Sequence, residues 1–236
     1  MGQRPPIVAI DGPAGAGKST VARELARILA FLHIDTGALY RAVALAAVRR
    51  GVSWDDASGI GQVAEDLVRR RALRLSTFPS SSLTAGLGCV VLEQEDVSDA
   101  IREPSIGQGA STVSAQQSVR AALLTLQREL GEAGGVVLEG RDIGTVVFPH
   151  ADAKFFVTAA PEVRAQRRFD ELRHRGLTTT FEATLADVMQ RDAADTGRAV
   201  APLMAATDAE IVDTSGMSIE NVVAHLAARV RGRTTL

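Results

Sequence analysis

The feature that most constrains this chain is a nine-residue segment near its N-terminus, Gly12-Pro13-Ala14-Gly15-Ala16-Gly17-Lys18-Ser19-Thr20. It matches the pattern G-x-x-x-x-G-K-[ST] in full, in which backbone N–H groups and a lysine surround phosphate groups. An apolar run at residues 7–10 precedes it, and apolar residues at helical spacing follow it. A strand, a glycine-rich loop and a helix N-terminus together form an anion site. We therefore predict that residues 12–20 bind nucleotide phosphates and that Ser19 reaches a magnesium ion.

Two simpler interpretations of this region were weighed. Only two of the 26 basic residues are lysines, Lys18 and Lys154, and genomic base composition accounts for most of that imbalance. A compact ammonium nevertheless fits among phosphate oxygens better than a guanidinium fork does. Gly15 and Gly17 also begin a G-x-G dinucleotide pattern, but Thr20 stands where its third glycine belongs. The dinucleotide interpretation is therefore set aside.

Composition limits the class of protein. A chain of 236 residues has the length of one α/β domain, with room for a small insert. The net charge of −2 and the 4% aromatic content argue against a nucleic-acid partner. There is no 18-residue apolar run and no N-terminal signal core, so we expect a cytoplasmic protein without a membrane partner. The single cysteine, Cys89, lies in an apolar run and is predicted to be a core residue.

Short apolar runs alternate with helical patterns along the chain. Strands are predicted at residues 7–10, 136–138, 154–157 and 210–212, with a fifth ending at Ile34. This alternation indicates a parallel sheet with helices on both faces, and ligands then bind at the carboxyl ends of the strands. Residues 73–97 depart from this alternation of strands and helices, because short strand patterns there are joined by tight turns. This indicates a small antiparallel insert. The run at residues 69–71, all arginine, is interpreted as solvated charge at a helix end.

Arginines recur downstream of the glycine-rich loop, and several of them suit phosphate oxygens because guanidinium forks bind two at once. Arg191, Asp195 and Arg198 can share one helical face. From spacing alone, an exposed ladder of ion pairs is the preferred interpretation of these three. A GTPase-type switch is disfavoured because the chain lacks an Asn-Lys-x-Asp motif. An aspartic protease is also disfavoured: its fold is nearly all β, whereas the Asp-Thr-Gly at residues 35–37 is followed by a helical pattern.

Several segments together resemble the bacterial-type cytidylate kinases, a family of nucleoside monophosphate (NMP) kinases in the P-loop superfamily. The most specific are Gly-Arg-Asp-Ile-Gly-Thr-Val-Val-Phe-Pro at 140–149 and Arg-Ala-Val-Ala-Pro-Leu at 198–203. Residues 10–13, 35–41, 95–102 and 213–215 also match, in family order, over nearly the whole length. The sequence departs at residues 30–33, Ala-Phe-Leu-His, where the family usually has a glycine first and an aromatic residue near the end.

The resemblance implies transfer of the γ-phosphoryl group of ATP to CMP or dCMP with Mg²⁺, by a monomer. Ser111, Arg120 and Asp142 would read the cytosine, and Thr36 and Asp195 would lie by the base and sugar. Around the monophosphate and the transferred group would be Arg41, Arg141, Arg191 and Arg198, so these last two are now favoured as site residues. With Lys18, the arginines expected to act in catalysis are Arg141, Arg191 and Arg198. Arg164 and Arg168 would close over ATP.

The resemblance also implies a division of the chain. It predicts a three-layer P-loop NMP-kinase fold with a five-stranded parallel sheet, a core of about residues 1–60, 104–160 and 197–236, an NMP-binding insert of about 61–103 and a helical lid of about 161–196. The alternative within enzymes is another P-loop kinase, for a different nucleotide, such as a UMP/CMP-type enzyme, or for a metabolite. A substrate panel separates the two.

Overall fold

The computed structural model describes residues 4–76 and 89–233. Eight strands are present in this part of the chain: β1 (Ile7–Asp11), β2 (Leu32–Asp35), β3 (Leu73–Ser76), β4 (Cys89–Leu92), β5 (Glu95–Asp96), β6 (Val136–Gly140), β7 (Ala153–Thr158) and β8 (Glu210–Asp213). The α-helices are α1 (Lys18–Leu29), α2 (Thr36–Arg49), α3 (Ala57–Arg69), α4 (Pro104–Ala115), α5 (Gln117–Gly131), α6 (Pro161–His174), α7 (Phe181–Gly197) and α8 (Ile219–Arg233). None of the described helices is long and apolar enough to cross a membrane.

Five strands form the parallel sheet that the sequence predicts, in the order β2-β6-β1-β7-β8. Successive residues of β1 face opposite sides, as pleating requires. Val8 and Ile10 pack with α1 and α8, whereas Ile7 and Ala9 belong to the cluster that α5 covers on the other face. Both faces of the sheet are therefore buried under helices, which confirms the predicted three-layer α/β fold.

The carboxyl ends of the parallel strands lie side by side. Asp35 at the end of β2 is in register with Glu139 of β6, and Asp11 at the end of β1 is in register with Gly140. On the other side of β1, Thr158 of β7 is in register with Asp213 of β8. The polar residues that follow the predicted strands are thus brought to one edge of the sheet, as expected for a ligand site in this architecture.

A second, antiparallel sheet of order β3-β4-β5 confirms the predicted antiparallel region. The predicted turn at residues 79–82 and the predicted short strand at residues 83–85 lie outside the described residues. Cys89 in β4 is buried, as expected.

The predicted boundary at residue 60 falls inside α3, which packs against α5. We propose that the insert begins only after α3 and that residues 161–196, which cover α6 and nearly all of α7, form the lid.

The first helix ends at Ala30, the position where glycine is usual in the family. Ala30 adopts the left-handed conformation (φ 55°) that glycine adopts most readily, and its N–H bonds the carbonyls of Ala26 and Arg27. The helix therefore ends as a glycine-capped helix does, at the cost of some backbone strain.

At the end of α3, Arg69 and Arg70 are exposed and both pair with Asp66, as the solvated-charge interpretation requires.

Helix α4 is held by an unusually close approach to Trp54. The indole N–H donates to the carbonyl of Ala44 in α2 at 3.0 Å, which fixes the ring against α4. A Cβ added at Gly109 would lie 2.3 Å from the Trp54 ring. A Cβ at Gly107, two residues earlier in the same helix, would meet no atom within 4 Å. The position of α4 against α2 therefore depends on the missing side chain at Gly109.

We expect opposite effects from one methyl group at these two glycines. Gly109→Ala should lower the free energy of unfolding by about 1–3 kcal/mol, because the methyl displaces the Trp54 ring. Gly107→Ala should raise it by up to about 1 kcal/mol, because alanine favours helix more than glycine does. Denaturant unfolding measures both. Equal effects at the two sites would show that α4 does not depend on this contact.

Candidate active site

The glycine-rich loop (residues 12–20) joins β1 to α1 in the geometry that the sequence pattern predicts. Gly12 has φ 146°, and a Cβ there would lie 1.9 Å from the carbonyl oxygen of Val157. Gly17 is left-handed (φ 85°) and starts α1. Lys18 is buried, and its Nζ donates to the carbonyl of Pro13 at 2.6 Å. Burial, reinforced by the positive charge of Arg141, lowers the pKa of Lys18 to about 7. A bound polyanion would restore its charge.

The back of this loop is held by an arginine that was expected on ATP. Arg164 is buried, and its Nη1 donates to the carbonyl of Ala14 at 3.2 Å. The same guanidinium forms a bidentate pair with Asp192 of α7, at 2.9 and 2.6 Å. Arg164 does not line the cavity beside the loop. In this conformation its donors are committed to the loop and to α7, and its expected contact with ATP stays a prediction.

Arg167, one turn of α6 further on, lines the cavity instead. It donates to the hydroxyl and carbonyl of Thr214, at 3.1 and 2.8 Å. The Thr214 hydroxyl is also 3.3 Å from the carbonyl of Ala16 in the glycine-rich loop. Arg168 lines the cavity as well and pairs with Glu171 on its own helix. Of the three arginines at 164–168, the two at the cavity are therefore Arg167 and Arg168.

Glu139 at the end of β6 connects the loop to the neighbouring strand. Its buried carboxylate accepts a hydrogen bond from the Ser19 hydroxyl at 2.7 Å and lies 3.0 Å from Nε2 of His33. Its backbone carbonyl accepts from the Thr36 hydroxyl at 2.8 Å. His33 replaces the aromatic residue usual in the family and so provides a polar partner. Ser19, Thr36 and Glu139 therefore occupy one polar cluster at the sheet edge.

A buried ion pair forms on the far side of the cavity. Arg120 of α5 pairs with Asp142, which follows β6, and both side chains are almost fully buried. The guanidinium also lies over the ring of Tyr40, 5.6 Å from its centroid, and donates to the carbonyl of Ser114. Ser111 of α4 lines the same cavity. The structure thus brings together the three residues that the resemblance assigned to a cytosine base.

Three further arginines reach the cavity already paired with carboxylates. Arg41 pairs with Asp35 at 2.5 Å, and Arg141 donates to Asp195 at 2.8 Å. Arg191 pairs with Asp187, one turn before it on α7, at 3.1 Å. Asp195 therefore bonds Arg141 across the cavity, and the i,i+4 ladder of Arg191 with Asp195 that spacing allows does not form.

Arg198 follows the last residue of α7 and has spare hydrogen-bonding capacity. Its Nε donates to the carbonyl of Ala201 at 2.5 Å, and its Nη1 lies 3.9 Å from Asp195. Its Nη2 is buried and has no hydrogen-bond partner among the described residues, as is also true of Nε of Arg41. Burial, and then the charge of Arg120, lowers the pKa of Arg198. Buried donors without acceptors indicate an anion site at this point.

Most of these groups surround one cavity of about 1220 Å³. The sequence-predicted site residues that line it are Ala14, Gly15, Ala16, Gly17, Lys18, Ser19, Thr20, Thr36, Arg41, Ser111, Arg120, Arg141, Asp142, Arg168, Arg191, Asp195 and Arg198. Gly12, Pro13 and Arg164 do not line it. Tyr40, Glu139 and Arg167 also line it, although the resemblance gave none of them a specific role. Glu139 follows a predicted strand and Arg167 is one of the downstream arginines, so sequence signals mark both as candidates, whereas no such signal marks Tyr40.

Comparison with known proteins places the chain in a family. The sequence profile described as cytidylate kinase matches residues 8–232. The chain belongs to the cytidylate kinase family. It is 50% identical over 228 residues to a cytidylate kinase of Geobacter sp. (strain M21), covering 96% of this chain and 93% of the relative. It is 48% identical over 225 residues to that of Pelotomaculum thermopropionicum, covering 95% and 96%. The resemblance stated from sequence motifs is confirmed.

The fold also recurs in a solved structure of very different sequence. An uncharacterized protein from Eubacterium ventriosum superimposes with a TM-score of 0.53 at 10% sequence identity, covering 98% of this chain and 99% of the other. At that identity the likeness concerns the fold alone. The arrangement of strands and helices is thus shared well beyond the family, whereas the paired side chains in the cavity belong to this sequence.

The Arg164–Asp192 pair should couple the loop to α7 energetically. In a double-mutant cycle with Arg164→Ala and Asp192→Ala, we expect a coupling free energy of about 1–3 kcal/mol, because both charges are largely buried. The matched control is the Arg191–Asp187 pair on α7, which is more exposed and should give less than about 0.5 kcal/mol. Thermal or denaturant unfolding gives the values. A coupling free energy at Arg164–Asp192 as small as that of the control would contradict the view that this pair ties the glycine-rich loop to α7.

Proposed function

We propose that this protein phosphorylates CMP and dCMP with ATP, giving CDP or dCDP and ADP by in-line phosphoryl transfer. The observation that carries the proposal is the single cavity that joins the glycine-rich loop to the Arg120–Asp142 pair, with paired arginines between them. One end suits a triphosphate and the other suits a cytosine. Membership of the cytidylate kinase family supports the same activity.

At the donor end, the loop and Lys18 would hold the phosphates of ATP. The oxygen donors present there fit a magnesium ion, because the Ser19 hydroxyl and the Glu139 carboxylate lie together, 2.7 Å apart. Ser19 would reach the ion directly and Glu139 would bind it or its water. No group of three or more acidic, histidine or cysteine side chains that could hold a metal ion is present among the described residues. Magnesium, when bound, neutralises charge on the phosphoryl oxygens.

At the acceptor end, Asp142 and Arg120 would read the base. The exocyclic amine of cytosine can donate to the Asp142 carboxylate, and an acceptor on the ring can take a hydrogen bond from Arg120. In its pair with Arg120, the Asp142 carboxylate presents acceptors only. Uracil would present a carbonyl to that carboxylate and leave it without a donor. Ser111 and Thr36 line the cavity beside the pair.

Between the two ends, Arg41, Arg141, Arg191 and Arg198 would bind the monophosphate and the transferred group. Phosphoryl transfer asks the protein mainly for alignment and charge neutralisation. The unpartnered donors, Nε of Arg41 and Nη2 of Arg198, can bind phosphate oxygens without first breaking another hydrogen bond. The donors on Arg141 are partly held by Asp195, which would turn to the sugar hydroxyls when a nucleotide binds.

The remaining expectations complete the proposal. Helices α6 and α7 would act as a lid over ATP, with Arg167 and Arg168 on the inner side. We also propose a monomer in the cytoplasm with small-molecule substrates and neither a nucleic-acid nor a membrane partner. The near-neutral net charge of −2 supports the absence of a nucleic-acid partner.

A panel of acceptors tests the activity. With ATP and Mg²⁺, steady-state rates are measured side by side for CMP, dCMP, UMP and AMP. We expect the highest kcat/KM for CMP or dCMP, because cytosine offers Asp142 an amine that uracil lacks, and because the adenine of AMP is a larger purine than the single ring of cytosine. Higher activity with AMP than with CMP would refute the proposal. Lys18→Ala is the negative control and should abolish turnover while CMP still binds.

Asp142→Asn should relax the choice of base. An asparagine can accept from the cytosine amine or donate to the uracil carbonyl, so the ratio of kcat/KM for CMP over UMP should fall about 10- to 100-fold. Asp66→Asn is the matched control, because Asp66 also pairs with arginines but lies away from the cavity. Its ratio should not change. An unchanged ratio in Asp142→Asn would remove Asp142 from base recognition.

A further inference from the structure

A buried carboxylate outside the proposed contacts links the two ends of the site. Asp11 is the last residue of β1 and directly precedes Gly12 of the glycine-rich loop. Its Oδ1 accepts a hydrogen bond from the N–H of Ile143 at 2.8 Å, and its Oδ2 accepts from the N–H of Gly144 at 2.7 Å. Asp11 itself is 5% exposed and does not line the cavity.

The two N–H groups belong to the turn that carries Asp142. Residues Ile143–Val147 form one π-helical turn, and the carbonyl of Asp142 accepts from the N–H groups of Val146 and Val147, at 2.9 and 3.2 Å. Asp142 itself is outside helical geometry, with φ −148° and ψ 26°. The direction of its side chain therefore depends on where the first turn residues are held.

Asp11 holds Ile143 and Gly144 by accepting both of their N–H groups, which few side chains can do. A carboxylate presents two acceptors and no donor, so it satisfies two neighbouring N–H groups at once. Burial raises the pKa of Asp11 to about 6, although the two N–H groups oppose this change and Asp142 adds to it. A neutral side chain would avoid the cost of burying this charge. An amide, however, would turn its own N–H toward one of the two donors.

The loop and the turn differ in how they are anchored elsewhere. The glycine-rich loop is held independently, by Arg164 at Ala14 and by the lack of space at Gly12. Among the described residues, further hydrogen bonds to the backbone carbonyls of the turn come at its far end, where Arg128 donates to Val146 and Val147 at 3.1 Å. At the near end, Ile143 packs in the core and Asp142 pairs with Arg120, but the backbone N–H groups depend on Asp11. Without Asp11, the backbone next to Asp142 would lose both of these hydrogen bonds.

We propose that Asp11 is a positioning residue that sets where Asp142 and Arg141 lie relative to the glycine-rich loop, and so aligns the acceptor with the donor. This inference rests on the proposed function for its kinetic consequence. It assigns Asp11 to acceptor binding and base choice, although Asp11 is covalently next to the donor loop. A residue that merely stabilised β1 would affect both substrates alike.

The test compares Asp11→Asn with Asp152→Asn. Asp152 is the matched control because its carboxylate accepts the N–H of Ile7 at 2.7 Å, at the opposite end of the same strand. For Asp11→Asn we expect KM for CMP to rise about tenfold and the CMP/UMP ratio to fall, with KM for ATP within about twofold. Asp152→Asn should leave all three unchanged. Hydrogen exchange of the peptide covering residues 141–147 should become faster only in Asp11→Asn.

The outcomes separate this inference from the proposed function. Equal changes in KM for ATP and CMP, or kinetics like those of Asp152→Asn, would overturn the positioning role. If the wild-type protein does not phosphorylate CMP, the proposed function fails, and hydrogen exchange still decides the structural role. Unchanged exchange at residues 141–147 would then overturn it. If Asp11→Asn does not fold, Asp11→Ser, which replaces the two carboxylate oxygens by one hydroxyl and adds no amide N–H, is expected to show the same split.

Discussion

The organisation of this protein depends on cationic side chains that converge on one cavity and are balanced there by carboxylates. Arg120 is paired with Asp142, Arg141 with Asp195 and Arg41 with Asp35. Lys18 has no carboxylate within bonding distance among the described residues, and burial lowers its pKa to about 7. Without the carboxylates, mutual repulsion would oppose folding in the absence of ligand. With them, phosphate groups can take over some of the same donors.

The same cavity is framed by two buried groups that touch no substrate in the proposed mechanism. Arg164 ties the back of the glycine-rich loop to α7, so the loop and the proposed lid share an anchor. Asp11 ties the strand before the loop to the turn that carries Asp142. Both side chains form hydrogen bonds with backbone atoms, so they hold segments of the main chain at fixed distances from one another. Alignment of donor and acceptor would depend on such contacts as much as on the residues that bind phosphate.

Local pattern was sufficient for much of this architecture. Four apolar runs and Ile34 predicted the five strands, because buried parallel strands read as continuous apolar segments. Prediction was weaker where the outcome depends on distant partners. Arg164, Arg167 and Arg168 have the same chemistry and lie on one helix, and spacing could not tell which of them faces inward. Arg164 is committed to Asp192, 28 residues away, and no local signal reveals that pair.

What the sequence by itself determined is the chemistry: a lysine in a glycine-rich loop, arginines for phosphates, and the motifs at 140–149 and 198–203 that identify the family. These features are carried by covalent neighbours, so they can be read along the chain. Only the tertiary structure decided which carboxylate partners each cation and which groups face the cavity. Asp195 is three residues from Arg198 in sequence, yet its short hydrogen bond is with Arg141, 54 residues away. That choice follows from how the sheet and α7 meet in space, where packing outweighs proximity along the chain.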